Sequence, residues 1–464
     1  MAQVANRVRS GMVATPWGQS DSLRERRLRP GPGTPREEVV ENQRERLFGA
    51  MVASVSQRGY VATTVNDLVE ISGVSSRTFY DLFPDKKACF LATLEAIIEA
   101  AVAYAAQSAG QMLGNPTPGG VNLPEGPGPG GEDGSWEDRA RWGFDAFAEM
   151  ISLQPAASRL AFLEADSAGP EAVVLIQNAV AGFEWLTRQM LEQSPERAEI
   201  PAEMVSAHVG AQQEITRTWL REGREAELPE LMDEIWRLML SYRPPPEPLR
   251  LAGRPPKFGP ETIDAHDHAE RALRAFAVVV AEEGYVNTTV EAVLKRAQMS
   301  ATTFYANFAG KDDAMLAAID SACSQIVAAV LPAFRRAPDW ANGVRAGYGA
   351  LFNFLASRPA LARLIAVEIY AAGSPAVERR VQTLEPLEEL IDEGYRREPD
   401  APAIAAEVIA GAIFSLTYKR LRESGPDSLP ALAPLLTYIT LAPFLGAEEA
   451  CRVANGNGRA RPGT

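Results

Sequence analysis

The sequence predicts an all-α protein built as two tandem copies of one helical unit. Three observations carry that prediction. Apolar residues recur at three- and four-residue steps, as in Val52 and Val55 and again in Leu91, Leu94, Ile97, Ile98 and Ala101; this is the period of a helix with one buried face. Alternating runs that would mark strands are missing apart from short ambiguous stretches such as Ala277–Val280. Finally, Gly59-Tyr60-Val61-Ala62-Thr63-Thr64-Val65 returns as Gly284-Tyr285-Val286-Asn287-Thr288-Thr289-Val290, an offset of 225 residues. That offset holds without a gap through Ser75/Ser300, Phe79/Phe304, Lys86/Lys311 and Leu91/Leu316. A repeat of this length is a whole domain.

Composition narrows the class. The chain has 464 residues, 46% apolar and 23% charged, with a formal net charge of −14. This suits two to four globular domains. No apolar run reaches the roughly 18 residues that cross a bilayer, and the arginine-bearing N-terminus lacks the apolar stretch of a secretory signal. Cys89, Cys323 and Cys451 stand far apart, in no metal-ligand or redox spacing, so a reduced cytoplasm is expected. The acidic total weighs against indiscriminate nucleic-acid binding. Specific binding depends on one local face, which a whole-chain sum does not describe.

Taken in order, residues 1–35 carry Arg7, Arg9, Arg24, Arg26, Arg27 and Arg29 among Gly, Pro and Ser, and read as a disordered basic arm. Residues 36–91 form the first head, and 92–242 a helical body interrupted by a Gly/Pro loop at 114–134. A Pro-rich spacer follows at 243–264, stiff enough to span about 65–70 Å when extended. The second head occupies 265–316, the second body 317–446, and 447–464 read as a disordered tail. The bodies repeat too: Trp136, Pro155, Arg159, Glu164 and Gly169 match Trp340, Pro359, Arg363, Glu368 and Gly373 at an offset of 204. Gly210, Thr216, Leu220, Arg221 and Pro229 match Gly411, Thr417, Leu421, Arg422 and Pro430 at 201.

Each head reads as a helix-turn-helix. Thr64 precedes a short helix with Asp67 three residues on, the start of a capping box. Leu68, Val69 and Ile71 supply its apolar face, and Gly73 ends it where positive φ suits glycine. Ser75 caps the next helix, Ser76–Phe83. On that helix Phe79 and Phe83 face inward, while Arg77 and Asp81 point away and Thr78 and Tyr80 flank them. The assignment is Arg77 with Ser76 on base edges, and Thr64, Ser75, Thr78, Tyr80 and Lys86 near phosphates. The bland alternative is a solvated Arg77–Asp81 bridge. In the second copy the corresponding residues are Thr289, Ser300, Ala301, Thr302, Thr303, Tyr305 and Lys311. Gln298 replaces the turn glycine, Thr302 stands for Arg77 and Ala306 for Asp81, leaving an uncharged outward face. This head should position more than it specifies.

The run Thr63-Thr64-Val65-x-x-Leu68 through Gly73-Val74-Ser75-x-x-Thr78-Phe79-Tyr80-x-x-Phe83-x-x-Lys86 resembles the N-terminal signature of the tetracycline-repressor (TetR/AcrR) family. The second copy, Thr288-Thr289-Val290 through Ser300-x-x-Thr303-Phe304-Tyr305-x-x-Phe308-x-x-Lys311, resembles it as well. The resemblance is sharp over the first ~55 residues of each unit and general beyond. It implies one-component regulators: a DNA-binding head, a body that takes a small ligand, and dimerisation through the last helices.

Partners expected on this reading are a double-stranded DNA operator and a small hydrophobic or amphipathic effector, with no membrane and no cofactor. One chain would act as an intrachain pseudo-dimer or pair as a homodimer. The alternative is a sensor or scaffold whose heads no longer bind DNA. Candidate effector-pocket residues are Trp142, Phe147, Phe162, Glu164 and Trp185 in the first body and Phe352, Glu368 and Tyr370 in the second, with ordinary bundle core as the bland reading of each. His266 and His268 lack further ligands at metal spacing. No catalytic constellation is present, so an enzyme is not expected.

Overall fold

The computed structural model describes residues 12–28, 31, 33–108, 136–251 and 267–456. These form two compact units, Met1–Ala179 with Glu222–Pro229 and Val180–Arg221 with Glu230–Thr464. The boundary differs from the repeat boundary at 243–264: the late helices of the first body belong to the second unit.

The first unit opens with a two-stranded hairpin, β1 (Ala14–Thr15) and β2 (Gly18–Gln19). The expected disorder of residues 1–35 therefore fails for 12–28. The cause is apolar anchoring: Trp17 and Leu23 are fully buried, and the Trp17 ring lies 5.3 Å from that of Phe48. Gly49 makes room for Leu23, since a Cβ there would sit 2.9 Å from it. Arg7, Arg9 and Arg29 lie outside the described residues.

Then come α1 (Arg36–Ala62), α2 (Val65–Ser72), α3 (Ser76–Leu82) and α4 (Lys86–Ser108). The body follows with α5 (Trp136–Leu153), α6 (Pro155–Arg159), a π-helical turn at Leu160–Glu164, α7 (Ala165–Ala168) and the first part of α8 (Pro170–Leu191). The loop at 114–134 and the side chain of Trp142 lie outside what is described. One core runs from Trp17, Phe48, Met51 and Leu68 through Phe79 and Phe90 to Leu160 and Ala172, so head and body share it.

The second unit contains the rest of α8, α9 (Ala202–Glu222), α10 (Leu228–Ser241) from Glu230 on, and the second repeat. That repeat comprises α11 (His268–Glu283), α12 (Val290–Ala297), α13 (Ala301–Tyr305), α14 (Lys311–Arg335), α15 (Trp340–Ser357), α16 (Pro359–Arg363), a π-helical turn at Leu364–Glu368, α17 (Ser374–Leu384), α18 (Glu389–Arg397), α19 (Ala405–Ser424) and α20 (Ala433–Ala454). The spacing of the apolar residues is thus helical throughout, Ala277–Val280 included.

Helices of both repeats pack together in this unit. α9 and α19 touch backbone to backbone: a Cβ on Gly411 would lie 2.8 Å from Ala211 Cα, and one on Gly210 would overlap Ser415. These two glycines are repeat partners, so the contact is nearly symmetric. Lys419 pairs with Glu184 at 2.9 Å, and Tyr242 donates to the Ile439 carbonyl at 2.8 Å. These contacts group the first body's last helices with the second repeat.

Two further expectations change. Residues 447–454 are not tail but the end of α20, bent at Gly446 (φ 74°), with Ala450, Cys451 and Val453 buried. The spacer is pinned at its start: Tyr438 donates to the Arg243 carbonyl at 2.7 Å and Asn455 accepts from Arg250 N–H at 2.7 Å. Residues 252–266, which take in the rest of the spacer and His266 at the start of the second head, lie outside the described residues. Finally, α14 and the run Pro426–Ala454 are long and apolar enough to cross a membrane, contrary to the sequence reading. Their apolar stretches are 50% and 78% buried in the fold, as for helices lining a protein core.

Candidate nucleic-acid interface

The first head is organised by its caps. Thr64 accepts from Asp67 N–H at 3.3 Å, while Asp67 accepts from Thr64 N–H at 2.8 Å and from its hydroxyl at 2.7 Å. Thr64 is thus committed to starting α2, and Arg58 pairs with the same Asp67 at 2.9 Å. Those hydrogen bonds and the nearby cations hold the Asp67 carboxyl below its ordinary value against the opposing effect of burial. α2 ends on Gly73 at φ 65°, ψ 18°, and the Arg46 guanidinium donates to the adjacent Ser72 carbonyl at 2.9 Å. Arg24 of the N-terminal segment closes the same end, donating to the Glu70 carbonyl at 2.5 Å. One of the six expected arm arginines therefore braces the turn.

Ser75 caps α3 by accepting from Thr78 N–H at 3.1 Å, and its hydroxyl meets that of Thr78 at 2.8 Å. Phe79 is fully buried and Phe83 nearly so, which turns Ser76, Arg77, Tyr80 and Asp81 to the surface. Tyr80 is 58% exposed, its ring set edge-on to Phe79 at 5.3 Å. No Arg77–Asp81 ion pair forms among the described residues. The outer face of α3 therefore presents a cation, a phenol and hydroxyls on a rigid apolar backing, the chemistry suited to a groove and its phosphate walls.

Lys86 differs from the sequence reading. Its ammonium donates to the carbonyls of Tyr60 and Thr63, each at 2.8 Å, and lies 4.2 Å from the centre of the Tyr60 ring. Gly59, at φ 76°, bends the end of α1 so that these carbonyls converge. Burial draws the Lys86 ammonium below its ordinary pKa, with Asp67 acting against that shift. Lys86 is a cap on α1 rather than a free phosphate ligand. Lys311 repeats the arrangement on the carbonyl of Tyr285 at 3.1 Å, with its ring at 4.4 Å.

The second head keeps the frame. Thr289 accepts from Ala292 N–H at 3.2 Å, Ser300 accepts from Thr303 N–H at 3.1 Å, and Phe304 is buried beneath a Tyr305 that is 56% exposed. Gln298 occupies the turn at φ 50°, ψ 51°, the left-handed region that a non-glycine residue enters at a cost of about 1 kcal/mol. Its surface residues Ala301, Thr302 and Ala306 are uncharged, as read from the sequence.

Phe147 and Phe162 pack edge-on at 6.3 Å, Phe352 is fully buried core, and Trp185 is 57% exposed. Glu164 and Glu368 instead hold the heads. Glu164 accepts from Tyr60 N–H at 2.8 Å, and Glu368 from Tyr285 N–H at 3.0 Å. Each carboxylate ends a π-helical turn of its body and grips the bend that closes the first head helix. Burial raises the Glu164 pKa, and the Tyr60 N–H bond opposes that rise. Tyr370 donates to Glu214 at 2.9 Å. Sequence reasoning missed the latch, although Gly59/Gly284 and Glu164/Glu368 are both repeat pairs. Among the described residues no group of three or more side chains is placed to hold a metal; His268 meets Arg271 at 2.8 Å.

Residues 50–93 and 272–318 each match the family model described as bacterial regulatory proteins, tetR family. No curated protein matches the chain. Similar solved structures include the fatty acid degradation regulator FadR from Bacillus halodurans, at 19% identity and TM-score 0.35, covering 38% of this chain and 96% of that one. The transcriptional regulator FadR from Bacillus subtilis, solved with stearoyl-CoA, is 18% identical at TM-score 0.33, covering 38% and 97%. A TetR family transcription regulator from Marinobacter aquaeolei VT8 is 22% identical at TM-score 0.31, covering 37% and 94%.

Proposed function

We propose that the chain, which carries one tetR-family head in each half, is a tandem TetR-like regulator, and that a single chain binds one DNA operator through both heads as a covalent pseudo-dimer. The observation that carries this reading is the close packing of α9 on α19 through Gly210 and Gly411. It supplies within one polypeptide the pairing of last helices that the resemblance assigns to two. The exposed faces of α3 and α13 enter successive major grooves, about 34–36 Å apart. Arg77 and Ser76 read bases, while Tyr80, Tyr305, Thr302 and the capped helix starts contact the backbone. Because the two faces differ, the operator is asymmetric.

Effector binding in a body shifts its π-helical turn, and Glu164 or Glu368 passes the shift to the Gly-Tyr bend of the head. A coupling of about 1–3 kcal/mol suffices to change occupancy. The three cysteines are buried free thiols, in keeping with a reducing cytoplasm. Footprinting on the gene's own upstream region, with light scattering of the complex, tests the proposal. One chain per asymmetric site is expected. Two chains per symmetric site would replace the pseudo-dimer with a homodimer, and no protected site would favour the sensor reading, to which the uncharged face of α13 lends support.

A further inference from the structure

Beside the α9–α19 contact the second unit holds a partly open cleft. Leu191 of α8, Met204 and His208 of α9, Met239 of α10, Ala412 of α19 and Ile439 of α20 line it, so its walls come from both repeats. Ala207 and Val408, also in the wall, stand three residues before Gly210 and Gly411 and are repeat partners themselves. The empty space is about 460 Å³ with the solvent at its mouth included, towards the small end of pockets that take small molecules, about 300–1,000 Å³. No described residue that lines it is an acid, a lysine or an arginine. Its polar side chains are Thr187, His208 and Tyr242, and the Tyr242 hydroxyl already donates to the Ile439 carbonyl at 2.8 Å. Burial keeps His208 neutral, its pKa drawn down to about 4. None of the residues expected from the sequence to line an effector pocket borders the cleft.

Water gains little in such a place, because apolar walls offer it few hydrogen-bond partners. An apolar guest restores dispersion contacts that the lining atoms lack, and the flexible thioethers of Met204 and Met239 adapt to its outline. A charged guest would lose its hydration and meet no counter-ion. We propose that this cleft binds a small neutral apolar molecule, of the size of one substituted ring, held between the two repeats. Such a guest touches α9 and α19 at once and strengthens their pairing. The same lining does not recur in the other copy: at the offset of 201 the partners of Met204, His208 and Tyr242 are Ala405, Ile409 and Pro443. One molecule per chain follows. The inference does not depend on whether the heads bind DNA.

The test is isothermal titration of the full chain with toluene in one arm and benzoate, a charged molecule of similar size, in the other. Saturable binding of one toluene per chain is expected, with a Tm that climbs as toluene is added. Benzoate should bind more weakly by about tenfold or more. Ala412→Met, which fills the cleft from α19, should weaken toluene binding by about tenfold or more while the helical circular dichroism stays unchanged. If Ala412→Met fails to fold, Ala207→Leu fills the same space from α9. Absence of saturable toluene binding, two equal sites per chain, benzoate binding as tight as toluene, or unchanged toluene affinity in a folded variant would overturn the proposal. Each of these outcomes leaves the reading of the heads untouched.

Discussion

Replacing Gly411 by alanine probes the contact on which the proposed pseudo-dimer rests. In a free helix this change stabilises by about 1 kcal/mol, because alanine forms helix more readily. Here the added methyl would sit 2.8 Å from Ala211 Cα, 3.0 Å from its carbonyl oxygen and 3.2 Å from its Cβ. These neighbours are mostly backbone, so α9 and α19 must separate by several tenths of an ångström along their contact. Overpacking of this kind costs about 1–3 kcal/mol, and separation also loosens the Lys419–Glu184 pair. The net effect is a loss of up to about 2 kcal/mol, or a Tm lower by up to about 8 °C for a unit of this size. Gly349, in α15, has nothing within 4 Å of the position a Cβ would take, so Gly349→Ala should raise Tm by about 1–4 °C. Scanning calorimetry of both variants beside the parent decides the matter. A Tm that rises in Gly411→Ala as it does in Gly349→Ala would show that the α9–α19 contact is not formed.

Arg77→Ala should cost about 1–3 kcal/mol at one operator base pair and little on random DNA; equal losses in a competition gel shift would remove Arg77 from base reading. Lys86→Ala should lower head stability by about 1–3 kcal/mol, because it strips the carbonyls of Tyr60 and Thr63 of their donor; urea unfolding monitored on Tyr60 checks this, and an unchanged midpoint would return Lys86 to a phosphate role. Trp17→Ala should destabilise the first head by about 3–5 kcal/mol, whereas a detached arm would leave its Tm unmoved. His208, whose pKa burial draws down to about 4, must stay neutral in the folded chain. Its contribution is complete above its ordinary value of 6.5 and is lost as pH falls towards about 4. Stability should therefore decline across that window by up to about 1.4 kcal/mol per pH unit, and His208→Met should flatten the decline.

The heads were legible because their determinants are local. The Thr64–Asp67 box, the Gly73 turn, the Ser75 cap and the inward pair Phe79 and Phe83 lie within twenty residues of one another, and each acts on its own neighbours. What the sequence hid was long-range. Lys86 has the reach of a phosphate ligand, and only the bend at Gly59 shows that carbonyls from another helix take its donors first. Residues 12–28 have the composition of a tail, yet one indole filling a gap beside Phe48 outweighs that composition. Glu164 and Glu368 read as pocket anchors because an acid in an apolar run signals a buried partner; the partner proved to be a backbone N–H about a hundred residues upstream.

The contact of α9 with α19 has a further consequence. When both halves of a helical core belong to one polypeptide, assembly becomes a first-order event governed by tether length instead of abundance. Dilution does not dissolve such a pairing, and a related subunit cannot exchange into it. The exposed faces of α3 and α13 can then change independently of each other, since a change in one copy is not imposed on its twin. The divergence of Arg77 from Thr302 is a freedom that a shared backbone would grant and a homodimer would withhold.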